Sequence, residues 1–146
     1  MIIRKVKEEE MDEALKLIWE VFLEFEAPDY TESGIKLFKS SIDDKEWIAK
    51  RVFYGAYDDD NKLMGVIATY NLNHISLFFV DGVYHRQGIG RKLYDLVESF
   101  NNDDFFTVNS SIYAHNIYKH MGFVDTDKEQ DVMGLRYYPM RKELNK

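Results

Sequence analysis

Residues 74–97, HISLFFVDGVYHRQGIGRKLYDLV, constrain this chain more than any other stretch. Residues 74–80 form a short apolar run rich in β-forming side chains and read as a central strand. Asp81-Gly82 breaks that run. Glycines follow at 88 and 90, and Leu93, Leu96, Val97 and Phe100 then recur at helical spacing. A helix that starts on glycines bares backbone N–H groups without intrahelical partners, at the end the helix dipole makes electropositive. Such a start binds phosphate, and Arg86, Arg91 and Lys92 add positive charge to it. No Gly-Lys-Ser/Thr follows the first glycine, which excludes a Walker loop. Leu93 stands where a dinucleotide fingerprint needs its third glycine. A lone Gly-x-Gly carries little information, so an ordinary helix start remains the alternative on these residues alone.

The rest of the chain supplies a core around this unit. Residues 1–6 read as a first strand. Residues 8–26 form an amphipathic helix with Met11, Ala14, Leu15, Ile18, Val21, Phe22 and Phe25 on one stripe, closed by Pro28. Thr31 is an N-cap for a second helix carrying Ile35, Leu37 and Phe38, whose few apolar positions describe a flap. Residues 51–57 and 63–70 are strands joined by a turn at 58–62, and residues 71–73 lead tightly into the strand at His74. The carboxylates at Asp58, Asp59 and Asp60 lack the ligand spacing of a calcium loop. A helix over about 90–100 is followed by a strand at 105–108, a short helix ended by Gly122, a charged connection at 125–131 and a last strand at 133–140. Pro139 points to an edge location for that strand. Strand–helix–strand around the glycine loop gives a parallel pair in a right-handed crossover; the other strands are antiparallel.

Length and composition bound the function. A chain of 146 residues that is 45% hydrophobic supports one compact domain over 1–146. The absence of cysteine excludes disulfides and thiol catalysis and points to a cytoplasmic protein. No secretory h-region opens the chain and no apolar run is long enough to span a bilayer, so no membrane is expected. The net charge of −7 argues against nucleic acid as a partner and mildly favours a cationic one. His115 and His120 lack the spacing of a helical metal pair, so no metal is expected.

Two motifs, in order and well separated, carry a family resemblance. The first is the strand, the turn and then His85-Arg86-Gln87-Gly88-Ile89-Gly90 opening a helix; the second is Tyr118-Lys119-His120-Met121-Gly122-Phe123 with the small residue Ala114 four positions before the tyrosine. Together they resemble the GNAT N-acetyltransferases, and NSSIYAHNIYKHMGF with GLRYYPM resembles a subgroup of small bacterial members. The likeness extends over nearly the whole chain, the first half by element order alone. His85 departs from the glutamine or arginine usual at its position, although a histidine can also donate to a phosphate.

The resemblance implies an α+β, three-layer fold: a mixed, mostly antiparallel sheet with a central splayed parallel pair flanked by helices. It implies acetyl-CoA as co-substrate and transfer of acetyl to a primary amine of a small molecule, peptide or protein. The pantetheine arm would lie along Phe79 and Val80, and the diphosphate on His85, Arg86, Gln87, Gly88, Ile89, Gly90 and Arg91. The Val80 N–H would face the acyl oxygen. Tyr118 would protonate the departing thiolate, with little mismatch between a phenol near about 10 and a thiol near about 8.5; its bland alternative is a core tyrosine on the stripe with Ala114, Ile117 and Met121. His74, on a face with Ser76, Phe78 and Val80, is the candidate base, with Glu26 and Asp29 as alternatives. Asn109 and Asn116 either contact the cofactor or cap local backbone. Tyr113, Tyr137 and Tyr138 line the acceptor pocket or fill the core. A non-catalytic acyl-CoA-binding sensor is the competing reading, and the protein is expected as a monomer or as a homodimer paired through an exposed last strand.

Overall fold

The computed structural model describes residues 1–145. Eight strands form a sheet in the order β1-β2-β3-β4-β5-β8-β6, with β7 paired to β8: β1 Ile2–Lys5, β2 Val52–Tyr57, β3 Leu63–Tyr70, β4 His74–Val80, β5 Phe105–Ser110, β6 Val124–Asp125, β7 Gln130–Val132 and β8 Leu135–Glu143. Helices α1 Met11–Val21, α2 Glu32–Asp43 and α3 Lys45–Ala49 precede the meander, α4 Ile89–Phe100 connects β4 to β5, and α5 His115–His120 follows β5. Two apolar layers sandwich the sheet. One joins Ala14, Leu17, Ile18 and Phe22 of the first helix to Phe53, Val66, Leu77 and Phe79. The other joins Leu93, Tyr94 and Val97 of α4 to Ile67, Ile75, Phe106, Val108 and Met140.

The expected mixed sheet with a splayed parallel pair is present. β4 and β5 are parallel, and only His74–Thr107 and Ile75–Val108 pair. Beyond Ile75 the strands diverge, so the upper half of β4 loses its neighbour on that side. A β-bulge also interrupts β4: Leu77 pairs with Ala68 but Ile75 with Thr69, leaving Ser76 as the extra residue. The bulge reverses the alternation. Ile75 packs in the layer that holds Phe78 and Val80, whereas Leu77 and Phe79 belong to the other. His74 therefore does not share a face with Phe78 and Val80, as unbroken period-2 alternation predicts.

Four other expectations change. The helix predicted over 8–26 is a 3-10 turn at Glu8–Glu10, α1, and then a π-helical turn at Phe22–Glu26 followed by a 3-10 turn at Ala27–Asp29. The segment after Thr31 is docked: Ser33 Oγ donates to Met133 O at 2.5 Å, and a Cβ on Gly34 would collide with the carbonyl of Gly134. Pro139 lies inside β8, which β5 flanks on one side and β6 on the other, so β8 is not an open edge for a second copy. The proline is tolerated because one residue's N–H and C=O point the same way in a strand. Pro139 O accepts from Thr126 N at 2.9 Å, so its missing donor faces the point where β6 has already ended. Within the stretch expected as a charged connection, Gln130–Val132 forms β7, a hairpin partner of β8 turning through Met133 and Gly134 at positive φ.

Candidate active site

The glycine loop is built as a donor cradle. Beyond β4, the Asp81 carboxylate accepts from Val83 N at 3.1 Å and starts a 3-10 turn at Gly82–Tyr84. Arg86 and Gly88 then adopt positive φ, 63° and 80°. Gly88 is the N-cap of α4 and supplies no side-chain acceptor, so the first-turn amides of that helix keep their hydrogens unspent. A Cβ on Gly88 would meet no atom within 4 Å, which means open space stands against this backbone. The space belongs to a cavity of about 630 Å³ walled by Arg86, Gly88, Ile89 and Gly90 and, farther along, by Phe79, Val80, Ala114 and Tyr118. Clustered amide donors leading into an apolar channel fit a diphosphate-bearing acyl carrier.

The splay supplies a second donor. Asp81 N donates to Met64 O at 2.9 Å, so Asp81–Met64 is a hydrogen-bonded pair and the neighbouring Val80–Gly65 pair is not. The Val80 N–H and C=O therefore point away from β3, toward the side that β5 has vacated. His85 Nε2 lies 2.6 Å from Val80 O and donates to it, which pins the loop to the strand end and leaves the Val80 N–H facing the gap. His85 thus spends Nε2 on the backbone, where the sequence reading gave it a phosphate.

A second cavity, of about 390 Å³, opens on the other side of the same wall. Glu26, Phe78, Phe79, Ala114 and Tyr118 line both cavities. Tyr118 is 5% exposed, yet no buried side-chain polar atom among the described residues lacks a partner and its hydroxyl bonds to none, so the hydroxyl opens to cavity space. Burial, and next the Glu26 charge, push its phenol well above the ordinary value. The mismatch with a thiol is therefore larger than solution values imply. Glu26 is carried to this wall by the π-helical turn, which adds a residue to the end of the first helix and re-aims the side chains beyond it. Burial raises its carboxyl to about 8; the Ser111 hydroxyl pulls it down and Asp29 pushes it further up. A general base near 8 suits an amine acceptor at neutral pH.

His74 stands elsewhere in the second cavity, with Trp47 and Arg51. Its Nδ1 is 2.7 Å from Thr107 Oγ1, and burial together with the Arg51 charge lowers its pKa, so it is neutral. Of the residues expected to hold the cofactor, Phe79, Val80, His85, Arg86, Gly88, Ile89 and Gly90 line the first cavity, whereas Gln87, Arg91 and Asn116 line neither. Arg91 pairs with Asp95 at 3.0 Å and Gln87 leans on Val83 O. Asn116 O accepts from His120, and Asn109 lines the second cavity, not the first. Tyr113 walls the first cavity and Tyr137 the second, while Tyr138 stacks on His115 with ring centroids 3.8 Å apart. Asp29 lines neither. Nothing in a helical pattern marks where a π turn will fall, so the sequence does not reveal that Glu26 lines both cavities. Arg51, which the sequence pattern marks only as the start of a strand, lines the second cavity. Among the described residues no cluster of histidine, aspartate and glutamate could hold a metal, and no helix is long and apolar enough to cross a membrane.

Comparison with known proteins agrees with this geometry. No curated protein matches the sequence. The chain is similar in structure to a GCN5-related N-acetyltransferase from Rhodopseudomonas palustris, with TM-score 0.85 and 20% identity over 98% of this chain and 95% of that one. It is similar to a PaiA N-acetyltransferase from Thermoplasma acidophilum solved with coenzyme A, with TM-score 0.76 and 19% identity over 97% and 98%. An aminoglycoside 6'-N-acetyltransferase complexed with coenzyme A aligns with TM-score 0.66 and 14% identity over 100% and 98%. At these identities the likeness is one of fold. The acetyltransferase (GNAT) domain model matches residues 26–144, from the acidic residue on the dividing wall to the end of the last strand. The chain accordingly belongs to the GNAT acetyltransferase family, enzymes that take acetyl-CoA as co-substrate.

Proposed function

We propose that the protein moves the acetyl group of acetyl-CoA onto a primary amine by direct attack, with the amine entering through the second cavity. The observation that carries this reading is the wall shared by the two cavities, on which a tyrosine, a glutamate and apolar side chains meet. Acetyl-CoA supplies an activated acyl group and a good leaving group; the chain supplies position, charge and protons. The amides of residues 86–91 and the N-terminus of α4 hold the diphosphate. The Val80 N–H donates to the position where negative charge develops on the acyl oxygen. Glu26 removes a proton from the acceptor ammonium, which its raised pKa of about 8 allows without binding the proton irreversibly.

Tyr118 presents its O–H to the leaving sulfur. Because burial holds the phenol far above its ordinary value, it does not release its proton unaided. Glu26 and Tyr118 line the same wall, and the Glu26 charge acts on the phenol. We therefore assign the pair as a relay: Tyr118 protonates the leaving thiolate, Glu26 returns to Tyr118 the proton it took from the ammonium, and the second proton, lost by the nitrogen as the amide forms, goes to the regenerated Glu26 carboxylate and on to solvent. His74 keeps the neutral form and lines the acceptor cavity rather than serving as base. The test is an amine screen with acetyl-CoA, following thiol release and acetylated product by mass. Amine-dependent thiol release with a stoichiometric acetyl adduct supports the reading. Tight coenzyme A binding with no turnover on any acceptor removes it in favour of a binding module.

A further inference from the structure

Among the described residues, the second cavity contains a cation without a counter-ion. Arg51 lies two residues beyond α3 and is held by four contacts, one of them the Tyr70 ring, whose centroid is 5.0 Å from the guanidinium carbon. Its guanidinium carbon sits 3.5 Å over the Trp47 ring, Nη1 donates to Trp47 O at 2.8 Å, and Nε donates to the bulged Ser76 Oγ at 3.1 Å. Those bonds use two of five N–H donors, and Nη2 has no partner among the described residues. No aspartate or glutamate pairs with Arg51 among the described residues, in a chain where acidic residues outnumber basic ones 26 to 19. Burial disfavours its charge, and that charge acts on His74 beside it. A stacked, desolvated guanidinium with a free edge in a cavity wall matches a carboxylate or phosphate.

The cavity has a carboxyl side chain at one end and a guanidinium at the other. Glu26 stands at the shared wall with Phe79 and Tyr118, and Arg51 is tied to Ser76, three residues earlier along β4. Three residues of strand span roughly 10 Å. We propose that the acceptor is an amine that also carries an anionic group several bonds away: the amine meets Glu26 and the carboxylate or phosphate meets Arg51. This rests on the acetyl-transfer reading for the amine end only; the anion subsite stands on Arg51 itself. It also departs from the mild preference for a cationic partner drawn from net charge, because Arg51 puts a cation in the cavity lining itself.

The test compares 6-aminohexanoate, 6-aminohexyl phosphate, hexylamine and 1,6-diaminohexane, by titration calorimetry against the protein–coenzyme A complex and by turnover with acetyl-CoA. One charge-assisted pair gives a preference of roughly 10- to 100-fold for the anionic amines over hexylamine. Arg51→Gln collapses that ratio toward one, and Arg51→Lys, which keeps charge without the fork, leaves part of it. The two anionic probes distinguish a carboxylate from a phosphate subsite. Preferential binding that Arg51→Gln removes supports the proposal even if no amine is acetylated, a result that would strike only the transferase reading. Binding or turnover by wild-type protein without preference for the anion, or a preference that Arg51→Gln retains, overturns it. If Arg51→Gln does not fold, the wild-type ratio and the Arg51→Lys ratio decide.

Discussion

Replacing Glu26 by glutamine should make the protein more stable and nearly inactive at once. In the folded state the carboxyl is raised from 4.5 to about 8. A group raised in this way binds its proton more tightly when folded. Its ionisation therefore subtracts stability as pH climbs from 4.5 to about 8, and the loss levels off above that. At about 1.36 kcal/mol per pH unit the full difference would reach about 5 kcal/mol. Glu26 is half-buried and faces two open cavities, so solvent screening reduces this to about 1–2 kcal/mol. Glutamine keeps the shape and never ionises. For a chain of this size Glu26→Gln should raise Tm by about 3–6 °C at pH 8.5. The gain should shrink on acidification and vanish below pH 4.5. Urea unfolding of both proteins at pH 4.5, 6.5 and 8.5 measures this directly. In thiol-release assays the same variant should lose about 10²- to 10⁴-fold in kcat, along with the ionisation near 8 from the kcat/KM profile. A stability difference independent of pH, or a variant less stable than wild type at pH 8.5, would refute the placement of a desolvated carboxyl on the dividing wall.

Other perturbations read different parts of the site. Tyr118→Phe should lower kcat by about 10²-fold or more while leaving KM for acetyl-CoA nearly unchanged, checked by steady-state kinetics; an unchanged kcat with acetyl transfer rate-limiting would end the assignment. Gly88→Ala should place a methyl in the open cradle and force an alanine to positive φ at about 1–2 kcal/mol. The KM for acetyl-CoA should then rise more than the melting curve falls. Gly34→Ala has no room against the carbonyl of Gly134 and should cost about 1–3 kcal/mol in urea unfolding, loosening α2 from the β7–β8 turn.

Strand and helix periods made the central unit legible without coordinates. The apolar run, the break at Asp81-Gly82 and the helical spacing after Gly90 correspond to β4, the loop and α4 within a residue or two. The mixed sheet followed from element order. The hidden features were departures from regular period. The bulge at Ser76 reverses which way His74 faces, and one extra residue in a strand leaves no compositional trace. The π turn at Phe22–Glu26 looks like continued α-helix in any hydrophobic pattern, yet it carries Glu26 to the wall that Tyr118 also lines. Arg51 gained its role only when α3 brought Trp47 beneath it. Gln87 in the loop, Arg91 in α4 and Asn116 in α5 have suitable chemistry for a phosphate, but each is engaged by a residue four positions away in the chain.

A crystal structure of the protein with coenzyme A tests the account most directly. The expected result puts the diphosphate on the amides of residues 86–91, the pantetheine arm beside Phe79 and Val80, and the sulfur within hydrogen-bond reach of the Tyr118 hydroxyl. A carrier bound away from the start of α4, or a sulfur separated from Tyr118 and Glu26 by intact protein, would contradict it.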